Sequence, residues 1–93
     1  MVVGTVEVDL NLPGVSSLKE KRRRLKSLLT RLQNKYNVSI AEVALNDDHR
    51  RAQIGAAVVS NQKTFTEQVI EKIVRSIDNE AEIVLVDYRV EIF

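Results

Sequence analysis

The sequence predicts a single α/β domain in the order β-α-β-β-α-β, an α+β sandwich with two helices on one face of a four-stranded antiparallel sheet. Three observations predict it. Four stretches alternate apolar and polar residues, the signature of half-buried strands. Two intervening stretches carry apolar residues at helical spacing, each with a Ser/Thr-x-x-Glu start signal. The link between the second and third strands is a short polar turn, which implies a hairpin. One apolar stripe per helix and one polar face per strand place both helices on the same side. Right-handed crossovers then give strand order 4-1-3-2, the ferredoxin-like arrangement.

The elements follow in order. Across residues 2–12, Val2, Gly4, Val6, Val8, Leu10 and Leu12 share one face, and Val3, Thr5, Glu7, Asp9 and Asn11 the other. Pro13-Gly14 ends this strand. Ser17 opens a helix over 17–36 through Ser17-Leu18-Lys19-Glu20, with Leu18, Leu25, Leu28, Leu29, Leu32 and Tyr36 on one stripe. Val38–Leu45 forms the second strand, with Ala41, Val43 and Leu45 expected inward and Ile40, Glu42 and Ala44 outward. Asn46–Arg51 is the turn, and Ala52–Val59 the third strand, with Ile54, Ala56 and Val58 inward. The second helix starts at Ser60-Asn61 or at Thr64, through Thr64-Phe65-Thr66-Glu67. Its stripe is Phe65, Val69, Ile73 and Ile77, with Ile70 and Val74 beside it, and Asn79-Glu80 ends it. In the last strand, residues 82–93, Val84, Val86, Tyr88, Val90 and Ile92 face one way; Ile83, Leu85, Asp87, Arg89 and Glu91 face the other.

The 93 residues suffice for one core without staples and form one domain, 1–93. The absence of cysteine excludes disulfides, thiolate metal sites and cysteine nucleophiles, and fits a reducing compartment. The N-terminal residues lack the basic and long apolar segments of a signal peptide, and no stretch approaches the ~20 apolar residues of a membrane helix. A cytoplasmic protein with no membrane partner is expected.

The net charge of +1 hides a strong asymmetry. Residues 15–36 hold eight basic residues against Glu20 alone, whereas the rest of the chain has six basic against twelve acidic. Lys19, Arg23 and Lys26 lie on one flank of the first helix's apolar stripe; Arg24, Arg31 and Lys35 lie on the other. Lys21 and Arg22 sit at the stripe's edges, where their stems can cover apolar surface. Cations crowd the first two turns, where the helix dipole prefers acidic residues. A local preference broken in this way suggests binding, and phosphate suits a helix N-terminus with clustered cations. The competing explanation is a solvated face whose cations pair with carboxylates elsewhere in the fold.

Asp47, Asp48, His49, Arg50 and Arg51 gather acid, imidazole and guanidinium on the hairpin turn, but with no second constellation to work with. One histidine beside two aspartates is too few ligands for a metal site. A hydrophilic hairpin tip explains the composition, since Asn and Asp favour turns. The open sheet face is expected to carry Glu7, Asp9, Glu42, Gln53, Asp87, Arg89 and Glu91, mixed with Val3, Ile40, Ala57 and Val59. Base stacking there needs exposed aromatic residues, and none of Tyr36, Phe65, Tyr88 and Phe93 is expected at its centre. A KH-type GxxG clamp, a P-loop and GxGxxG are absent. The loop after the first strand, Asn11–Ser16, does not match that of acylphosphatase.

With the elements placed, specific residues carry a resemblance. They are Val3-Gly4, Pro13-Gly14 followed by Ser17-Leu18-Lys19-Glu20-Lys21-Arg22, Leu25-Lys26, Asn37-Val38-Ser39 and Ala41-Glu42-Val43. Arg51-Ala52, Ile54-Gly55 and Val58-Val59-Ser60-Asn61 complete the set. Nearly end to end, the sequence resembles the YlxP-like family of small bacterial proteins of unknown function. His49 stands where family members often carry a tryptophan. The resemblance implies a ferredoxin-like fold and a bacterial setting close to translation and ribosome-maturation genes.

The leading expectation is a non-catalytic accessory protein, without cofactor or metal, that binds structured RNA or ribosomal particles. Lys19, Arg22, Arg23, Arg24, Lys26, Arg31 and Lys35 of the helix and Arg50 and Arg51 of the hairpin are its candidate contacts. The alternative is a homo-oligomeric module that binds a small molecule or a protein through the open sheet face.

Overall fold

Alternation over the first residues builds the central strand β1, Val2–Asn11, and the remaining elements assemble around it. They are α1 (Leu18–Lys35), β2 (Ser39–Ala44), β3 (Arg51–Ser60), α2 (Lys63–Asp78) and β4 (Val84–Ile92). The computed structural model describes residues 1–93. The sheet runs β2-β3-β1-β4 with every pair antiparallel, the expected order. Val6, Val8 and Leu10 of β1 and Ala52, Ile54, Ala56 and Val58 of β3 lie under the helices. They meet Leu25, Leu28 and Leu32 of α1 and Ile70, Ile73 and Ile77 of α2 in one core.

β1 ends at Pro13-Gly14, where Gly14 takes the left-handed φ of 79°. Ser17 then caps α1: its Oγ accepts the Glu20 N–H at 3.1 Å. The Glu20 carboxylate reaches back to the Ser16 N–H at 3.2 Å, one residue further than the ordinary capping box. α2 starts without a side-chain cap at Gln62, so the expected Thr64 box does not form. Ser60 Oγ instead accepts the Gln62 N–H at 3.1 Å and meets Thr66 Oγ1 at 2.7 Å. Thr66 is buried, while Phe65, expected on the stripe, is 51% exposed.

Gly4 explains how α2 can lie so close. A Cβ there would collide with Thr66 Cγ2 and stand 2.7 Å from Ile70 Cδ1. The missing side chain lets the helix settle onto the sheet.

Two strands depart from expectation. In β2 the facing is reversed: Ile40 is buried and Val43 is 52% exposed. Ile40 pairs with Ala56 and Glu42 with Ile54, both core residues of β3, so Ile40 and Glu42 lie on the helix side. Every position from Ile40 to Ala44 except Glu42 is apolar, so alternation does not choose a phase. An irregularity between Glu42 and Ala44 shifts the register. β4 changes phase in mid-strand. Asp9 pairs with Asp87 but Leu10 with Leu85, leaving Val86 as the extra residue of a bulge. Ile83 and Leu85 therefore turn inward, and Val84 and Val86 are exposed. Beyond the bulge, Tyr88, Val90 and Ile92 oppose the core residues Val8 and Val6 and then Gly4, while Asp87, Arg89 and Glu91 take the open face.

Candidate functional site

The basic helix is sorted by its neighbours. Arg24 Nη2 donates to Glu20 Oε1 at 3.0 Å, and its Nη1 lies 3.6 Å from Glu82 Oε2. Arg31 donates to both carboxylate oxygens of Glu80 and, through Nε, to the Ser27 carbonyl at 3.3 Å. Lys35 Nζ stands 5.5 Å from the centroid of the Tyr36 ring. That flank is largely neutralised. Lys19, Arg22, Arg23 and Lys26 have no carboxylate within ion-pair distance. With Ser17 and Glu20 they line a shallow depression without an apolar residue.

The helix start itself is occupied. Glu20 sits in the first turn, and the Ser16 N–H, with Arg24 nearby, holds its carboxyl below the usual carboxylate range. Its charge answers the helix dipole. The free side chains, not the helix terminus, are the groups left to receive an anion.

Lys21 belongs to neither flank. It is completely buried. Its Nζ donates to the Leu45 carbonyl at 2.7 Å and the Asp48 carbonyl at 2.6 Å. Glu42 Oε2 lies 2.8 Å from the same nitrogen, outside hydrogen-bonding angles, so the contact is a close ion pair. Leu45 takes a φ of 62°, which L residues disfavour by roughly 1 kcal/mol, and its carbonyl is one of those Lys21 holds. The signal was in the sequence: positions 18, 21, 25, 28 and 32 form an unbroken i, i+3, i+7 series, with Lys21 in an apolar slot.

This lysine ties the hairpin to the first half of α1. Asp48 Oδ1 shapes the turn by accepting the N–H groups of Arg50 at 2.9 Å and Arg51 at 3.1 Å. Those bonds hold the Asp48 carboxyl below its ordinary range. Arg50 is exposed two residues beyond the anchored Asp48 carbonyl. Arg51, opposite Asn11 in the β1–β3 ladder, is exposed on the open face and stands apart from the α1 cations. His49 is half-buried, and its depression is lined by Leu45–His49 alone, with no group from another element facing the imidazole.

On the open face, Arg89 donates to Asp9 Oδ2 at 3.1 Å and Oδ1 at 3.2 Å. Gln53 Nε2 adds a bond to Asp9 at 2.9 Å. Glu42 and Ile40, expected here, lie on the helix side instead. The acidic half of this face does not suit phosphate. The other half is apolar: Val3 pairs with Val59 and exchanges both backbone bonds with Phe93. Phe93, 70% exposed, sits at the margin.

A family model described as a protein of unknown function, DUF503, matches residues 3–90. The chain belongs to the DUF503 family. It is 40% identical over 82 residues to the uncharacterized protein YlxP of Bacillus subtilis (strain 168), across 88% of this chain and 89% of that protein. Among solved structures, the de novo designed protein Ferredog-Diesel superposes with a TM-score of 0.48 and 16% identity, over 96% of this chain and 83% of its own. No helix of the DUF503 chain is long and apolar enough to cross a membrane.

Proposed function

We propose that this DUF503 protein is a non-catalytic accessory factor that binds structured RNA, as in ribosomal particles, through one flank of α1. Lys19, Arg22, Arg23 and Lys26 supply the contacts, with Arg50 of the anchored hairpin as a further one. One observation carries the reading. The cations of α1 divide into a flank satisfied by Glu20, Glu80 and Glu82 and a flank with no carboxylate partner. Pairing within the fold accounts for Arg24 and Arg31, not for the others. Lysines and arginines without aromatic neighbours hold a phosphate backbone and do not read bases, so binding is weakly sequence-selective.

The test is co-sedimentation with ribosomal particles from a lysate at low and high salt. The triple variant Lys19→Gln, Arg23→Gln, Lys26→Gln is expected to leave the particle fraction. The variant Arg24→Gln, Arg31→Gln, Lys35→Gln is expected to stay in it more firmly. If neither triple change alters co-sedimentation or binding to purified RNA, the basic flank is only a solvated face. The apolar half of the open face, Val3, Val59 and Phe93, favours the second reading, a protein-interaction module. That reading predicts loss of partner binding in Phe93→Ser with the α1 flank intact.

A further inference from the structure

β4 is an edge strand of the sheet, guarded only by its bulge at Val86 and by Asp87, Arg89 and Glu91 on the open face. Its nine residues contain neither proline nor lysine. Val84, Val86, Tyr88 and Val90 are each between 42% and 56% exposed along it. The opposite edge, β2, has only six residues and an irregular register.

The backbone of β4 is ready to pair. Val3 and Phe93 exchange both backbone hydrogen bonds. By antiparallel alternation, Glu91 and Arg89 also turn their backbone groups to β1, and Ile92, Val90 and Tyr88 turn theirs outward. The Tyr88 N–H has no strand partner and is held by its neighbour's side chain, Asp87 Oδ1, at 2.8 Å.

We propose that β4 is a self-association edge: it pairs antiparallel with β4 of a second copy of this chain about a twofold axis at Tyr88. Side-chain charge selects both the occupant and the register. Pairing of Val86–Val90 with itself, beyond the phase change of the bulge, places Asp87 opposite Arg89 of the second copy, twice, on the open face. It also brings Tyr88 against Tyr88 and Val86 level with Val90. A slip to either neighbouring register that keeps the faces matched opposes like charges. One slip sets Arg89 on Arg89 and Asp87 on Glu91; the other sets Asp87 on Asp87. The pairing centred on Tyr88 is thus the charge-complementary one, and it is isologous. Arg89 already stands among Asp9, Glu7 and Asp87 of its own chain, and this pairing adds the second copy's Asp87 to that cluster. A strand pair alone covers less than a standard interface, so the dimer is concentration-dependent. It leaves the free flank of α1 uncovered and stands or falls independently of RNA binding.

Sedimentation velocity across the soluble concentration range tests it, with circular dichroism to confirm folding. The native chain is expected to move from one to two chain masses. Asp87→Arg and Arg89→Asp each place like charges opposite one another and should weaken self-association roughly tenfold or more. Mixed, the two variants restore both ion pairs, and a heterodimer should reappear. Val86→Lys, which installs an edge guard at an exposed bulge residue, should weaken pairing without touching the core. A native chain that stays monomeric throughout overturns the proposal and leaves the edge to solvent or another protein's strand. So does a dimer that survives Asp87→Arg and Val86→Lys unchanged, which would place the interface elsewhere.

Discussion

Lys21 and Glu42 meet at 2.8 Å beneath α1, one side chain wholly buried and the other 17% exposed. The pair joins α1 to β2 and, through the Leu45 and Asp48 carbonyls, to the hairpin. Replacing Lys21 by methionine keeps the stem's volume but strands the Glu42 carboxylate and two carbonyls. A loss of about 2–4 kcal/mol in denaturant unfolding is expected. Lys21→Met combined with Glu42→Gln should recover part of it, because the uncompensated charge is then gone. A double-variant loss equal to the sum of the losses from Lys21→Met and Glu42→Gln alone would show that the pair carries no coupling.

Gly4→Ala is expected to destabilise the fold by about 1–3 kcal/mol, since the added methyl meets Thr66 and Ile70 of α2. Thr66→Ser removes the nearer obstacle, Cγ2. Smaller damage from Gly4→Ala in the Thr66→Ser background would locate the strain at that contact.

Asp9 gives the pH dependence on the open face. The Arg89 hydrogen bonds, and then that of Gln53, hold its carboxyl below the ordinary 3.8. A depressed value in the folded state means stability fully present above 3.8 and lost as pH falls through the lower folded value. Asp9→Asn should therefore flatten the acid limb of the stability curve. An acid limb of unchanged slope would show that other carboxylates, Asp48 and Glu20 among them, dominate it.

Binding of RNA by the free flank of α1 should follow counterion release. If Lys19, Arg22, Arg23 and Lys26 each neutralise one phosphate, log K falls against log salt with a slope of about −3. Lys19→Gln, Arg23→Gln, Lys26→Gln should flatten that slope toward −1 while leaving the unfolding midpoint nearly unchanged, since all of these side chains are exposed. Filter binding or fluorescence anisotropy over a salt series reads both. A slope untouched by the triple change would assign the contacts to other residues.

The sequence by itself determined the element order, the antiparallel sheet and the strand order. Those follow from hydrophobic period, turn residues and crossover handedness, all of which act locally or as general chain constraints. Ser17, Pro13-Gly14 and the core of β1 and β3 were legible for the same reason. So was the placing of Arg89 on one face with Glu7 and Asp9, which topology alone gives. Only the tertiary structure decided the facing of β2 and the phase change in β4. In both strands apolar residues occupy consecutive positions, and a bulge or a register shift depends on the neighbouring strand's ladder. It also decided which cations of α1 are free. Charge spacing put Arg24 and Arg31 on one flank, but Glu80 and Glu82 reach them from beyond the end of α2, roughly fifty residues away in the chain. Lys21 shows the limit most directly. Its apolar slot was visible in the sequence, but the carbonyls and carboxylate that make burial of an ammonium tolerable come from a hairpin more than twenty residues on, and only folding brings them within reach.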